Sequence, residues 1–145
     1  MQRVVMLLLV IAGGWTQSAA AEQEREAYVA RAQFTTAVKQ REPVDQLVVG
    51  SPPLEQVFFF TDLRHMEGHT VVHNWRYHGE LVGQVKFDVR GPRWRVYSKR
   101  TINSGEYGEW TVTVTDEAGW PMYTELFRYQ RDGGATAAGE GLQAQ

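Results

Sequence analysis

From Val29 to Tyr129 the apolar residues fall in short runs that alternate with polar ones, broken every ten or so residues by Gly, Pro, Asp or Asn. Alternation of period two sorts side chains onto the two faces of an extended strand, and strands with one apolar face must stack as sheets to bury it. Seven segments qualify: 29–39, 57–63, 71–77, 81–89, 94–99, 110–115 and 122–129. The expectation is an all-β fold, an antiparallel immunoglobulin-like β-sandwich of about seven strands occupying residues 29–130.

Within the first segment Ala30, Ala32, Phe34, Thr36 and Val38 share a face, although the residues before Gln33 also suit a short helix. The second carries Phe58, Phe59 and Phe60 in succession, so it is apolar on both faces and belongs inside a sheet. Parity sets a register for the next three. Val71, His73, Trp75 and Tyr77 match Leu81, Val85, Phe87 and Val89 through a three-residue loop, His78-Gly79-Glu80; a two-residue His78-Gly79 turn moves the second apolar set to the wrong side. A turn at 90–93 then lays Trp94 opposite Val89 and Val96 opposite Phe87, which makes a three-strand meander with Asp88 across from Arg95. The last segment has no clean period, since Met122 and Phe127 differ in parity, and is read as bulged or as an edge strand.

The chain begins with Arg3, an apolar run from Val4 to Ala12 and small residues at 18–21, the pattern of a cleavable signal peptide over residues 1–21. Its apolar run falls short of the roughly 20 residues a spanning helix needs. The protein is therefore expected to be periplasmic or secreted, with no membrane span after cleavage. Residues 22–28 read as a flexible segment and 131–145, rich in Gly, Ala and Gln, as a disordered tail. There is no cysteine, so no disulfide supports the fold. Loss of Arg3 with the signal takes the formal net charge from −2 to −3, which disfavours nucleic acid as a partner.

Several stretches stand together in a recognisable pattern: Arg41-Glu42-Pro43-Val44-Asp45, Val57 to Leu63, Thr70-x-x-His73-x-Trp75, Val85-x-Phe87-x-Val89-x-Gly91-Pro92-Arg93-Trp94-Arg95-Val96, and Gly108-Glu109-Trp110-Thr111-Val112. From about Gln33 to Tyr129 the chain resembles the bacterial family catalogued as domain of unknown function 2914. The resemblance implies a small β domain of exported or membrane-linked proteins and brings no catalytic residues with it. His65 and His69 are additions to the family's pattern.

Two surfaces are candidates for function. Arg76, Lys86, Arg95, Tyr97 and Lys99 share the outer face of the expected meander, with Arg90, Arg93 and Arg100 at its ends. A basic face on an acidic chain suits an anionic envelope component or a periplasmic protein, held by arginine forks with Tyr97 as a flat platform. A solvated face with edge charges against aggregation is the plainer reading. The alternative site is the loop with His65, Met66 and His69, whose imidazole and thioether groups suit a copper-type metal. His73 points into the expected core, and His78 lies too far along the strand to join. Trp75, Trp94 and Trp110 read as core and Trp120 as exposed. Asp62, Asp88 and Asp116 read as turn residues at strand ends. With no nucleophile motif or phosphate loop, the expectation is a non-enzymatic binding module without a cofactor.

Overall fold

The computed structural model describes residues 26–131. Its strands are, in chain order, β1 (Tyr28–Thr35), β2 (Val38–Lys39), β3 (Glu42–Pro43), β4 (Val49–Gly50), β5 (Gln56–Arg64), β6 (Thr70–Tyr77), β7 (Glu80–Asp88), β8 (Arg93–Thr101), β9 (Gly108–Thr115) and β10 (Pro121–Tyr129). One sheet has three strands in the order β1-β5-β8, a second has five in the order β4-β10-β9-β6-β7, and β2 and β3 pair as a small ribbon. The seven longer strands are the seven alternating runs of the sequence, and the all-β sandwich expected from them is the observed architecture. The chain returns within a sheet at β6–β7 and β9–β10 and crosses between sheets at β5–β6, β7–β8 and β8–β9. The segment read as a signal peptide and the tail from residue 132 lie outside the described residues. Of the segment read as flexible, only 26–28 is described, and Tyr28 already begins β1.

The core forms between the two sheets. Phe34 of β1 meets Phe59, Trp75 and Phe127 with ring centroids 5.0, 5.7 and 5.6 Å apart, and Trp110 stacks on Tyr77 at 4.4 Å. Trp75 and Trp110 are buried as expected, Trp94 packs against the core while partly exposed, and Trp120 is exposed. A polar bridge runs through this apolar layer. His73 Nδ1 lies 2.8 Å from Ser98 Oγ, His73 Nε2 lies 3.1 Å from Thr61 Oγ1, and Trp75 Nε1 donates to Ser98 Oγ at 2.9 Å. A neutral ring protonated at Nε2 satisfies every one of these groups. Burial pushes the ring's pKa down from 6.5 to about 3.

β5 is central to its sheet, as its two apolar faces require. Val57, Phe59, Thr61 and Leu63 point into the sandwich and are fully buried. On the outer face Phe60 is almost as buried, with the Arg31 guanidinium 5.2 Å from its ring centroid. Asp62 was expected to make a turn at a strand end. Instead it lies within β5, inaccessible to solvent, because Arg64 (Nε 3.0 Å, Nη2 3.2 Å) and Arg93 (Nε 3.2 Å, Nη2 3.0 Å) close over its carboxylate.

Three details of register depart from the expectations. The meander does not form, because β8 pairs with β5 in the other sheet, Asp62 opposite Arg95 and Phe60 opposite Tyr97. Parity assigned the faces of Trp94 and Val96 correctly, but a hairpin and a crossover give the same faces, and the open side of β5 claims the strand. Asp88 accordingly faces Thr70, whose hydroxyl donates to it at 3.2 Å, and not Arg95. The β6–β7 turn is the two-residue His78-Gly79 form, with φ of 49° and 82°, the positive angles of a type I′ turn. The register His73–Val85 and Trp75–Gly83 is nevertheless the expected one, because a bulge at Val82 restores the parity that the short turn removes. β1 stops at Thr35, where Asp45 takes the Thr35 hydroxyl (2.7 Å), the Thr36 amide (2.8 Å) and the Thr36 hydroxyl (2.6 Å) and turns the chain into the β2–β3 ribbon. The bulge expected in the last segment is present at Met122.

Below pH 6.5 the unfolded chain binds a proton at His73 that the folded chain refuses. The stability contributed by the neutral ring is therefore complete above pH 6.5 and is lost as pH falls toward 3. Urea unfolding of the wild type at pH 7, 5 and 4 should show this decline, on the order of 1 kcal/mol per pH unit, with a shallower slope in His73→Phe. An unchanged slope would remove His73 from the acid sensitivity. At Asp62, Arg64→Ala with Arg93→Ala leaves a buried carboxylate without partners and should cost about 3 kcal/mol or more at pH 7. Adding Asp62→Ala to that pair should restore part of the loss, and a further loss instead would contradict the assignment.

Candidate anion-binding face

The outer face of the three-stranded sheet carries more cations than carboxylates. Alternation along β8 sends Arg93, Arg95, Tyr97 and Lys99 outward, and β1 and β5 add Arg31 and Arg64. The β2–β3 ribbon folds back on this face. Its Glu42 accepts from Arg31 Nη1 at 2.9 Å and forms a close ion pair with Arg95, so Glu42 bridges strands at the two edges of the sheet. The Arg31 hydrogen bond, followed by that of Arg95, holds the Glu42 carboxyl below its ordinary pKa. At Asp45 partial burial raises the pKa, but hydrogen bonds from Thr35 and Thr36 outweigh it and the net shift is downward. These acids are spent within the fold. Arg41 and Lys99, both exposed, have no acidic partner among the described residues, and Arg93 keeps Nη1 uncommitted.

Beside β8 lies a groove of about 340 Å³ lined by Arg41, Phe60, Arg93, Arg95 and Tyr97 of the outer face and by Phe87, Trp94 and Val96 of the inner face. Tyr97 is half exposed and its ring leans on Phe58, centroids 6.0 Å apart. The groove thus combines guanidinium forks with aromatic and aliphatic surface. Such a surface holds carboxylate or phosphate oxygens by charge-assisted hydrogen bonds and packs whatever carries them.

Of the five residues expected on one basic face, Arg95, Tyr97 and Lys99 are together here. Arg76 and Lys86 lie on the outer face of the five-stranded sheet, around a shallow depression shared with Asn74, Gln84, Asp116 and Glu117. The crossing of β8 to the other sheet is the reason for the separation. Arg100, expected at the end of the basic face, turns inward, with its guanidinium 5.5 Å from the Trp110 ring centroid and Nη1 donating to the carbonyl of Val82. Arg31, Arg41 and Glu42 were not anticipated. Arg31 lies in β1, and Arg41 and Glu42, although part of the stretch that resembles the family, reach this face through a fold-back held at Asp45, a contact that no local pattern reveals.

The histidine loop is differently disposed from the expectation. Met66 is buried in the core and cannot present its thioether on the surface. His69 Nδ1 is 2.9 Å from Glu117 Oε1, and the ring of His65 stands 6.3 Å from that of Tyr28. The Glu117 carboxyl is held below its usual range by its own backbone N–H first and by His69 second. Among the described residues no group of three or more His, Cys, Asp and Glu side chains is arranged to hold a metal ion. His73 points into the core as expected, and Asp116 is the turn residue it was read to be, accepting from the Ala118 and Trp120 amides.

No curated protein matches the chain. A family model does, over a segment that begins just before β6 and ends with β10, and so omits β1, the ribbon and β5, to which part of the resemblance in the sequence also belonged. Over residues 68–129, the segment from β6 to β10, the chain matches the family described as Protein of unknown function (DUF2914).

Proposed function

We propose that the chain is a non-enzymatic binding module of the cell envelope that docks an anionic partner on the outer face of the three-stranded sheet. The observation that carries this reading is the groove beside β8, where Arg41, Arg93 and Arg95 converge with Tyr97 on a chain whose net charge is negative. A local field opposite in sign to the whole molecule draws anions to one place and repels them elsewhere. The buried titratable groups support a binding role over catalysis. The carboxylate of Asp62 is closed over by Arg64 and Arg93, and the ring of His73 is committed to Ser98 and Thr61, so neither side chain is presented to a ligand. The N-terminal segment read as a signal peptide agrees with a partner outside the cytoplasm.

The test uses Arg41 and Lys99, the cations of this face that have no acidic partner among the described residues, so that the fold is left intact. Binding of fluorescent poly-L-glutamate to residues 22–145 should weaken at least tenfold in Arg41→Glu with Lys99→Glu, and should fall steeply between 50 and 300 mM salt. Arg76→Glu with Lys86→Glu, on the other sheet, should change it less than threefold. Equal losses in the two double variants would overturn the assignment of the site. Absence of binding at low salt would overturn the function itself.

A further inference from the structure

Among the described residues β8 has a neighbour on one side only. The amide of Ile102 donates to the carbonyl of Glu55, and the carbonyl of Pro92 accepts from the amide of His65, which fixes the phase of the β5–β8 ladder. Pairing is continuous between those points, with no bulge. In an antiparallel ladder residues alternate between bonding the partner and facing away, so the even-numbered residues of β8 bond β5. The N–H and C=O groups of Arg93, Arg95, Tyr97 and Lys99 therefore point from the open edge. No backbone or side-chain group among the described residues bonds them.

The groove runs along this same edge, and its two sides differ in chemistry. Phe87, Trp94 and Val96 line the side toward the sandwich interior, and Arg41, Arg93 and Arg95 line the side toward the outer face. A strand laid against β8 sends alternate side chains to these two sides. We infer that the occupant is an extended peptide segment of a partner protein, with acidic and apolar residues in alternation, that adds to the three-stranded sheet as a fourth strand along β8. Main-chain hydrogen bonds to Arg95 and Tyr97 hold the segment, its acidic side chains meet the arginines, and its apolar ones fill the gap beside Trp94 and Val96. Glu42 already shows how a carboxylate sits on Arg95.

Charge decides between this occupant and a second copy of the chain. Antiparallel pairing of β8 with itself about Tyr97 sets Arg95 against Lys99, and pairing about Arg95 sets it against its own counterpart. Like charges directly opposite destabilise a pair of strands. The basic residues that guard the edge against self-association are the ones that favour an acidic strand.

The inference rests on the proposed binding face, and the experiment separates the two. The probe is a synthetic octapeptide of alternating Glu and Val, titrated into residues 22–145 alongside versions N-methylated at every Glu or at every Val. Only one parity of amides faces β8, so one methylated peptide should bind at least tenfold more weakly than the parent and the other within threefold of it. Loss on methylating Glu marks antiparallel addition, and loss on methylating Val marks parallel addition. An equal effect of the two patterns, whether both bind or neither does, overturns strand addition. In that case poly-L-glutamate binding that responds to Arg41→Glu with Lys99→Glu leaves the anionic face standing. Failure of the parent peptide together with poly-L-glutamate removes both.

Discussion

The burial of β5 on both of its faces is the constraint on which the rest of the molecule depends. Phe59 meets Trp75 across the sandwich and Phe34 on the neighbouring strand of its own sheet, as in any core strand. Among the described residues no second sheet lies above the outward residues Phe58, Phe60 and Asp62, yet Phe60 and Asp62 are shielded from water. Cover comes from arginines. The Arg31 guanidinium lies over the Phe60 ring and pairs with Glu42, while Arg64 and Arg93 close on Asp62. The gathering of arginines on this face therefore has a structural cause before it has a functional one. What exceeds the structural need is the surplus beside the groove, where Arg41 and Lys99 answer no acid among the described residues.

The polar bridge through His73 bears on how rigid that face is. Ser98 belongs to β8 and Thr61 to β5, so the imidazole of β6 links the five-stranded sheet to two adjacent strands of the other. Each partner is buried, and shifting β8 relative to β6 would leave the ring or a hydroxyl unsatisfied in an apolar layer, at a cost of about 1–3 kcal/mol for each group. The outward side chains of β8 inherit this fixed position. A receptor edge held in place loses little entropy on accepting a strand, which helps a weak, charge-steered contact become specific.

Alternation made the strands and their faces legible in the sequence, and it did so down to the inward aim of His73 and the bulge near Met122. It was silent on partners. Arg90-Gly91-Pro92 reads as a hairpin turn, and every face it implies for β8 is right, because a strand that crosses to the opposite sheet keeps its apolar residues toward the same core. The information that decides lies at β5, whose two apolar faces demand a neighbour on each edge and which is remote in the chain. The candidate site was divided for that reason, with Arg76 and Lys86 left on one sheet and Arg95, Tyr97 and Lys99 carried to the other. Met66 was misread for a related reason: in a short polar loop a thioether looks displayed, and only the packing shows it turned inward.

A basic edge strand is usually explained by what it prevents, and that explanation holds for β8 against another copy of itself. It is incomplete, because protection needs only a cation or two at the edge, whereas here the groove adds apolar surface from Phe87, Trp94 and Val96 that water contacts. Exposed apolar surface beside unpaired backbone groups is a liability for a protein with no use for it. Its presence next to uncommitted cations fits the proposed partner, which matches both. On the proposed strand addition the same strand would discriminate by sign: it would reject basic or neutral edges through repulsion and desolvation and accept acidic ones, with specificity from the charges and affinity from the backbone.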